Sequence, residues 1–439
     1  MSNIKIALDG PGGAGKSSVA KAVAARLGIV YVDTGAMYRS IGLYMKKNGI
    51  DPSDANAVTV ALSDVTLRLS VEGGRQTLYL CGEEVGDEIR TPEMSMYASR
   101  VSAIPAVREF LLSTQRSVAN EASVIMDGRD IGTVIFPDAE VKIFLTASAE
   151  ARAGRRYDEL IAKGQDVSYE DVLREMNERD ENDSTRAIAP LCPADDAVIL
   201  DTSELSFNES VNSVIDIIRE KTAPPAPKMS RPYRLLYRCA ARLIRFLLRI
   251  KITGSENVPD RGGYVVCANH ISLIDVFTLG ASFPRQLRYL GKKELFRIPI
   301  LAPVIRALGA IPVDRKASDV GALKRSIEVA KSGELFSVFP QGHRYPKVNP
   351  ADTPIKSGVG MVAYRAGVGI IPVCIKIKKQ KYRILRRVDV IIGKPLGWRE
   401  LGFVKGGNEE YINAANVAFS EVCRLGGYEP SAAKEGSAT

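Results

Sequence analysis

Residues 10–17 form a glycine-rich segment that ends in a lysine and a serine. The spacing GxxxxGK[ST] is typical of a loop whose backbone N–H groups surround the phosphate oxygens of a nucleotide. Lys16 is expected to reach the β- and γ-phosphates, and the Ser17 hydroxyl is expected to bind Mg²⁺. The chemistry predicted is phosphoryl transfer from ATP with Mg²⁺, and the predicted ATP contacts are Gly10, Pro11, Gly12, Gly13, Ala14, Gly15, Lys16, Ser17 and Ser18. The chain has no Asn-Lys-x-Asp segment, which weighs against GTP.

A second candidate for chemistry is a histidine followed by an aspartate five positions later. The chain has two histidines, His270 and His343, and His270 opens a segment that ends at Asp275. If a helix starts between them, the carboxylate can orient the imidazole, which can then take a proton from a substrate hydroxyl. A lone histidine near an apolar strand is more often structural, so the aspartate carries this prediction.

Arginines in the first half of the chain are candidates for a second anion site. A kinase needs one, because its acceptor is itself a phosphate and the transferring group must be neutralised. The candidates are Arg39, Arg108, Arg129, Arg152, Arg155, Arg156, Arg179 and Arg186.

The elements that must hold these residues alternate between strands and helices. Residues 3–9 predict a strand that enters the glycine-rich segment, and residues 17–27 predict a helix that stops at Gly28. Further strands are predicted at 123–126, 141–145, 264–268, 334–339 and 369–377, and a helix at 322–331. This alternation predicts an α/β protein with a parallel sheet in its first half and a second α/β domain after it.

The charge of the chain changes sign near its middle. Residues 1–222 carry 24 Lys and Arg against 35 Asp and Glu, whereas the remainder carries 36 against 16. Three prolines fall within residues 222–228, which suits a linker. We therefore predict domains at 1–222 and 231–428, a Pro-rich linker at 223–230, and a disordered tail at 429–439. A basic second half favours nucleic acid or an anionic membrane as partner.

Residues 231–250 predict an amphipathic helix with one stripe of arginines. The arginines step by three and four, at positions 231, 234, 238, 242, 245 and 249. Its apolar side could pack on its own domain or could lie in a membrane interface with the arginines at lipid phosphates. The segment is too short and too charged to span a bilayer. Nucleic acid is disfavoured, because the basic half lacks aromatic interleaving and any known binding motif.

Other classes of protein are disfavoured by composition. The six cysteines are scattered with no CxxC pair, which weighs against a zinc site or a disulfide framework. No apolar run of 18 residues exists, and the chain opens directly into a predicted strand, so neither a membrane span nor a signal peptide is expected. The expected location is cytoplasmic, with peripheral contact to the inner face of the cell membrane.

The first half of the chain resembles bacterial cytidylate kinase over residues 3–220. The matching motifs lie at 33–39, 89–92, 127–133, 179–191 and 200–203. The resemblance implies a P-loop nucleoside monophosphate kinase fold that phosphorylates CMP and dCMP, with residues 40–100 as the acceptor-binding insertion. It implies that Thr34, Arg39 and Arg129 hold the CMP phosphate, and that Ser99, Arg108 and Asp130 recognise cytosine.

The same resemblance implies roles for the remaining polar residues. Asp183 and Arg186 would contact the ribose and assist at the reacting phosphates, and Arg152, Arg155 and Arg156 would lie in a mobile lid over ATP. Lys16, Arg129 and Arg186 are thus the implied catalytic residues. A structural ion pair between Asp130 and a neighbouring arginine is the alternative for that carboxylate. A UMP or UMP/CMP kinase is the alternative for the whole half.

The second half resembles the glycerolipid acyltransferases, in particular 1-acyl-glycerol-3-phosphate acyltransferase, over residues 231–398. Besides NHxxxxD, the matching blocks lie at 291–296, 309–315, 339–344 and 371–373. The resemblance implies that His270 and Asp275 transfer the proton during acyl transfer to lysophosphatidate, and that Lys292, Arg315 and Arg344 bind the acceptor phosphate.

One block departs from that family. The family usually has Phe-Pro-Glu-Gly-Thr-Arg, whereas Gln341 replaces the glutamate and His343 the threonine here. Gln341 is expected to accept from the glycerol hydroxyl more weakly than a carboxylate. A bifunctional enzyme is therefore the first hypothesis, and a kinase with an inactive membrane-tethering domain is the second.

Overall fold

The computed structural model describes residues 3–72, 75–186, 188–299, 301–313 and 320–431. The chain divides into two compact units, with the division between Lys221 and Thr222. Arg315 lies outside the described residues, as does most of the predicted tail. Two residues of that tail are hydrogen-bonded: Asn349 donates to the Glu429 carbonyl, and the Ser431 N–H donates to Asp352.

Within the described residues of the N-terminal unit, five strands form one parallel sheet in the order β2-β6-β1-β7-β8. The strands of this unit are β1 (Lys5–Asp9), β2 (Val30–Asp33), β3 (Leu67–Glu72), β4 (Arg75–Leu80), β5 (Glu83–Glu84), β6 (Val124–Gly128), β7 (Val141–Thr146) and β8 (Val198–Asp201). Strands β3, β4 and β5 form a separate antiparallel sheet inside the 40–100 segment. The central strands are apolar and buried on both faces, as parallel strands covered by helices must be.

Helices cover this sheet. They are α1 (Lys16–Leu27), α2 (Thr34–Lys47), α3 (Ala55–Ala61), α4 (Pro92–Ser102), α5 (Pro105–Glu121), α6 (Ala149–Ala162), α7 (Tyr169–Thr185) and α8 (Phe207–Thr222). Because all five strands run parallel, their carboxyl ends meet at one edge, where ligands bind in sheets of this kind. The glycine-rich loop, Thr34 and the 127–130 turn all follow strands at that edge.

In the described part of the C-terminal unit, seven strands form a mixed sheet in the order β12-β11-β13-β10-β14-β15-β9. Its strands are β9 (Ile250–Thr253), β10 (Tyr264–Ala268), β11 (Leu287–Lys292), β12 (Ala310–Val313), β13 (Leu335–Val338), β14 (Gly369–Ile377) and β15 (Val388–Ile392). Strands β10 to β14 are mutually parallel, and β14 pairs antiparallel with β15. His270, Lys292 and the 339–344 segment therefore follow strand ends at one edge of the sheet.

The helices of this unit are α9 (Arg231–Leu236), α10 (Arg242–Leu247), α11 (Asp275–Ser282), α12 (Leu301–Ala307), α13 (Val320–Lys331), α14 (Gly358–Ala366), α15 (Trp398–Leu401) and α16 (Asn408–Gly426). Across the described ranges, none of the helices has the length and apolar character needed to cross a membrane.

The amphipathic helix predicted for residues 231–250 is only partly confirmed. A π-helical turn at 237–241 separates α9 from α10, and the helix ends at Leu247 because Arg249 takes a left-handed φ of 46° before β9 begins at Ile250. Tyr233 and Ala241 are buried against the unit, whereas Leu235, Leu243 and Phe246 are exposed. The helix therefore packs on its own domain with some apolar side chains and presents others outward.

Candidate active sites

The glycine-rich loop closes around its own lysine. Gly13 and Gly15 have φ of 73° and 84°, a region that favours glycine, and a Cβ at Gly10 would lie 2.0 Å from the Leu145 carbonyl oxygen. The Lys16 ammonium is buried and donates to the Pro11 carbonyl at 2.7 Å. The loop therefore has the nest-like backbone and the buried cation that a phosphate site needs.

Three cations crowd this loop. Burial lowers the pKa of Lys16 well below its usual range, and Arg129 and Arg179 lower it further. Burial and Arg129 likewise lower the pKa of Arg179. A Cβ on Gly12 would lie 3.6 Å from Arg129 Nη2 and 3.7 Å from Arg179 Cδ, so both guanidinium side chains reach the loop. An anion bound here would relieve this repulsion. The sequence named Arg179 only as one of eight candidates for a second anion site and did not place it at the phosphate loop.

The Ser17 hydroxyl already has a partner. It donates to Asp127 Oδ2 at 2.6 Å, and the Tyr31 hydroxyl donates to Asp127 Oδ1 at 3.0 Å. Burial raises the pKa of Asp127 to about 6, and neighbouring Asp33 adds to that effect. A hydroxyl and a carboxylate held together beside a phosphate loop are donors that suit Mg²⁺, which also takes phosphate oxygens and water. Among the residues described, no group of three or more His, Cys, Asp or Glu forms a metal site by itself.

Asp9 ends β1 and Thr34 follows β2, so both lie at the same edge of the sheet as the phosphate loop. Asp9, at the end of β1, accepts from the Ile131 and Gly132 N–H groups at 2.8 and 2.7 Å and thereby holds the 127–132 turn beside the loop. Burial raises the pKa of this carboxyl. The buried Thr34 hydroxyl donates to the Asp127 carbonyl at 2.8 Å. Sequence reasoning missed Asp9, although an aspartate that ends a buried strand next to the loop was a visible signal.

Three of the arginines predicted to bind CMP are paired with carboxylates. Arg39 pairs with Asp33 at 3.1 Å, Arg129 donates to Asp183 at 2.7 Å, and Arg108 pairs closely with Asp130. Burial opposes ionisation of Asp183, but Arg129 outweighs it and lowers the pKa of that carboxyl. The contact between Arg108 and Asp130 joins two residues predicted to recognise cytosine, and it is also an ion pair of the kind that the alternative interpretation of Asp130 describes.

Two of the arginines predicted to bind CMP, Arg39 and Arg186, have a buried donor without a partner in the described residues: Arg39 Nε and Arg186 Nη2. A buried unpaired donor is costly unless a ligand accepts from it. Burial, followed by Arg108, lowers the pKa of Arg186. Both observations fit side chains that are to bind an anion.

The predicted lid arginines differ from one another. Arg152 is buried, donates to the Gly12 carbonyl at 3.0 Å and pairs with Asp180 at 2.6 Å, so it connects α6 to the phosphate loop and to α7. Arg155 instead bonds Thr202, and Arg156 pairs with Glu159 at the surface. Ser99 is exposed on α4, and no described hydrogen bond brings it to Arg108 or Asp130.

His270 and Asp275 form a dyad in the C-terminal unit. His270 Nδ1 lies 2.8 Å from Asp275 Oδ2, an oxygen that also accepts from the Ile271 and Ser272 N–H groups. Asp275 is fully buried at the start of α11, and the His270 ring stacks on Phe339 with centroids 4.0 Å apart. With Nδ1 engaged, Nε2 is the nitrogen available to accept a proton.

Tyr382 is a member of this site that sequence reasoning missed. Its hydroxyl donates to Asp275 Oδ1 at 2.8 Å and lies 3.1 Å from Thr278 Oγ1. Burial and then Asp275 raise the pKa of Tyr382, so it stays a protonated donor at neutral pH. Each Asp275 oxygen therefore has at least one donor. The contact spans 107 positions, and no local pattern in the sequence could have indicated it.

Gln341 has a different role from the one expected. Its Oε1 accepts from the His270 backbone N–H at 2.6 Å, and its Nε2 donates to Thr353 at 2.7 Å. The side chain is buried. Because both ends of the amide are engaged within the protein, Gln341 fixes the backbone of His270 rather than facing an acceptor hydroxyl.

Two of the three residues predicted to bind the acceptor phosphate, Lys292 and Arg344, lie in the described part of the chain, and both are exposed. Lys292 ends β11 and Arg344 follows β13, two neighbouring parallel strands. The backbone N–H of the next residue, Tyr345, donates to the His270 carbonyl at 2.9 Å, which keeps this segment beside the dyad.

The N-terminal unit thus has the fold and the phosphate loop of a nucleotide-dependent phosphotransferase. The family model described as Cytidylate kinase matches residues 6–220. The cytidylate kinase of Fervidobacterium nodosum is 51% identical over 217 residues, which are 49% of this chain and 97% of that protein. That of Caldicellulosiruptor bescii is 49% identical over 217 residues, covering 49% of this chain and 96% of that protein. The chain belongs to the cytidylate kinase family.

The C-terminal unit matches a different family. The family model described as Acyltransferase matches residues 249–376, so the chain joins a cytidylate kinase domain to an acyltransferase-family domain. One similar solved structure is the crystal structure of the 1-acyl-sn-glycerophosphate acyltransferase PlsC from Thermotoga maritima, with 25% sequence identity. The match covers 50% of this chain and 90% of the PlsC chain, with a TM-score of 0.35.

Proposed function

We propose that the N-terminal unit phosphorylates CMP and dCMP with ATP and Mg²⁺, and that the C-terminal unit transfers an acyl group to 1-acyl-glycerol-3-phosphate. Membrane contact through residues 231–250 would bring the second reaction to the inner face of the cell membrane. The observation that carries the kinase proposal is the cluster of Lys16, Arg129 and Arg179 at the phosphate loop. The observation that carries the acyltransferase proposal is the contact of His270 Nδ1 with the buried Asp275 carboxylate, which has a donor at each oxygen.

For phosphoryl transfer, the protein supplies position and positive charge. Lys16 would leave the Pro11 carbonyl for the phosphate oxygens of ATP, while Arg39 and Arg186 direct their unpartnered donors at CMP. Ser17 and Asp127 would hold Mg²⁺, which neutralises charge between the β- and γ-phosphates. Arg152 links the lid helix to the loop, so lid closure can exclude water as a competing acceptor.

For acyl transfer, His270 Nε2 would take the proton of the lysophosphatidate hydroxyl as its oxygen attacks the acyl carbonyl. The carbon–oxygen ester bond forms, the bond to the leaving group breaks, and the proton returns from His270 to that leaving group. Asp275 stabilises the intermediate imidazolium. Lys292 and Arg344, with Arg315, would bind the acceptor phosphate.

Two substitutions test whether the sites are separate. Lys16→Ala is expected to abolish CMP phosphorylation and leave acyl transfer intact, because it removes only the phosphate-loop cation. His270→Ala is expected to do the reverse. If either substitution removed both activities, the two-site proposal would be wrong.

Nucleotide preference is tested by comparing CMP, dCMP, UMP and AMP as acceptors. Phosphorylation of CMP and dCMP well above UMP and AMP is expected, because Arg108 and Asp130 form a joined pair of donor and acceptor. Equal rates with UMP would favour the alternative, a UMP/CMP kinase.

A tethering domain without catalysis is the second candidate for the C-terminal unit. The observation that favours it is Gln341, whose amide is occupied within the protein. Lysophosphatidate should be supplied with acyl-carrier-protein, CoA and acyl-phosphate donors in the presence of membranes. Formation of phosphatidate with any donor supports the enzyme, and its absence with all three supports the tether.

A further inference from the structure

The loop between β14 and β15 is strongly basic. Residues 378–387, which we call the basic loop, have the sequence Lys-Lys-Gln-Lys-Tyr-Arg-Ile-Leu-Arg-Arg, with six cations and no Asp or Glu in ten residues. Five of those cations, together with Lys347, line one groove: Lys378, Lys379, Lys381, Arg383 and Arg386. Such a concentration of positive charge attracts an anionic surface.

Most of this charge is not neutralised by the protein. Arg387 pairs with Asp389 at 2.7 Å, and Arg386 donates to two backbone carbonyls of the loop. No salt bridge among the described residues involves Lys378, Lys379, Lys381 or Arg383, and all four are exposed. These four side chains are therefore free to reach an external anion.

The tip of the loop is apolar and exposed. Ile384 and Leu385 have 75% and 54% of their surface accessible, although they lie directly between the cations Arg383 and Arg386. Lys379, Gln380 and Leu385 take left-handed φ values of 59°, 46° and 60°, which non-glycine residues rarely adopt. This backbone turns Tyr382 inward to Asp275 while it leaves Ile384 in solvent.

The basic loop adjoins the amphipathic helix. The Leu385 N–H donates to the Leu247 carbonyl at 2.7 Å, and Leu385 shares a surface depression with Phe246 and Arg249. Phe246 is 70% exposed. On the other side, Tyr382 connects the loop to α11, where Phe277 is exposed two residues after Asp275. Exposed apolar side chains thus lie on three elements, α10, the basic loop and α11, that hydrogen bonds connect to one another.

We propose that the basic loop is a second membrane-binding element, in which Ile384 and Leu385 enter the interface of an anionic bilayer and the four exposed cations contact lipid phosphates. This inference rests on the proposed membrane function but concerns residues outside 231–250. A bilayer is favoured over an acidic carrier protein because cations interleaved with protruding aliphatic side chains match headgroups above an acyl boundary.

The test is sedimentation of the intact chain with phosphatidylcholine vesicles, with and without phosphatidylglycerol. The double variant Ile384→Ser/Leu385→Ser is expected to bind anionic vesicles about tenfold or more weakly, since two apolar side chains no longer enter the interface. The variant Lys379→Ala/Lys381→Ala/Arg383→Ala is expected to lose binding that depends on phosphatidylglycerol. Val320→Ser, at a side chain 72% exposed on α13, is the matched control and should bind like the parent chain.

Each result distinguishes the inference from the proposed function. If the parent chain binds and the Ile384/Leu385 variant binds equally well, the loop is not a membrane element, although contact through residues 231–250 stands. If the parent chain does not bind anionic vesicles, both fail. If the cation variant keeps vesicle binding but loses transfer from an acyl-carrier-protein donor, the loop binds a protein and the inference is overturned.

Discussion

Substitution of Tyr382 by phenylalanine tests whether the His270–Asp275 dyad needs the hydrogen bond from the Tyr382 hydroxyl to Asp275. The substitution removes one hydrogen bond to a buried carboxylate, an interaction worth about 1.5–3 kcal/mol when the acceptor is charged. Asp275 would keep its contacts to His270, Ile271 and Ser272 through Oδ2. We therefore expect the lower end of that range, which is about a tenfold loss of kcat for acyl transfer.

The assay is steady-state acyl transfer to lysophosphatidate with both KM values measured. A positioning role predicts that kcat falls while both KM values stay unchanged, because Tyr382 contacts Asp275 and not the substrates. The single tryptophan of the chain, Trp398, is buried in the C-terminal unit, so its fluorescence reports whether that unit is still folded.

Tyr289→Phe is the matched control. The Tyr289 hydroxyl is buried and has no hydrogen-bond partner among the residues described, so the same chemical change should leave kcat unaltered. Full kcat in Tyr382→Phe, or an equal loss in Tyr289→Phe, would refute the proposed role of Tyr382.

Three further predictions concern other residues of the two sites. The pKa of Asp127 is raised to about 6, so the carboxylate proposed to hold Mg²⁺ becomes protonated as pH falls through that value. Calorimetry should then show Mg·ATP affinity falling about tenfold from pH 7 to pH 5, and a constant affinity would exclude Asp127 as a ligand. Arg179→Ala should lower kcat for CMP phosphorylation by a factor of about 10²–10³, because it removes a cation at the phosphate loop. Arg174→Ala, at an exposed position on the same helix, is the control and should have no effect. Equal losses in the two variants would contradict this assignment. Gln341→Ala should destabilise the C-terminal unit by about 1–3 kcal/mol, because the His270 N–H loses its buried acceptor. Urea unfolding followed by Trp398 fluorescence measures this loss of stability. An unchanged unfolding midpoint would show that the hydrogen bond between His270 and Gln341 contributes nothing.

The sequence predicted the elements that have strong local signals. Strands β10 and β14 begin and end at the predicted residues, because each is a run of buried apolar side chains with a clear boundary. The predicted strand at 123–126 extends to Gly128 in the structure, and that extension places Asp127 beside Ser17. The phosphate loop followed its strand and preceded its helix as expected.

The remaining features depend on distant contacts or on single backbone angles. Helical periodicity continues through residue 250, but the left-handed φ of Arg249 ends the helix, and periodicity carries no information on such an angle. The engagement of Gln341 requires Thr353 and His270 to meet at the edge of the sheet, which only the folded topology determines. Sequence motifs thus indicated which residues belong to the candidate sites. Tertiary contacts determine which atoms of those residues remain available to bind a ligand.

The bond between Ser17 and Asp127 has a consequence for the order of events in catalysis. In the free protein, each of the two proposed magnesium ligands satisfies the other, so neither is left as an uncompensated buried group. A cation that arrives alone must break this contact and gains only two protein oxygens in return. Arrival together with nucleotide phosphates supplies the missing coordination at once, so the pocket should discriminate in favour of the metal–nucleotide complex over bare divalent ions.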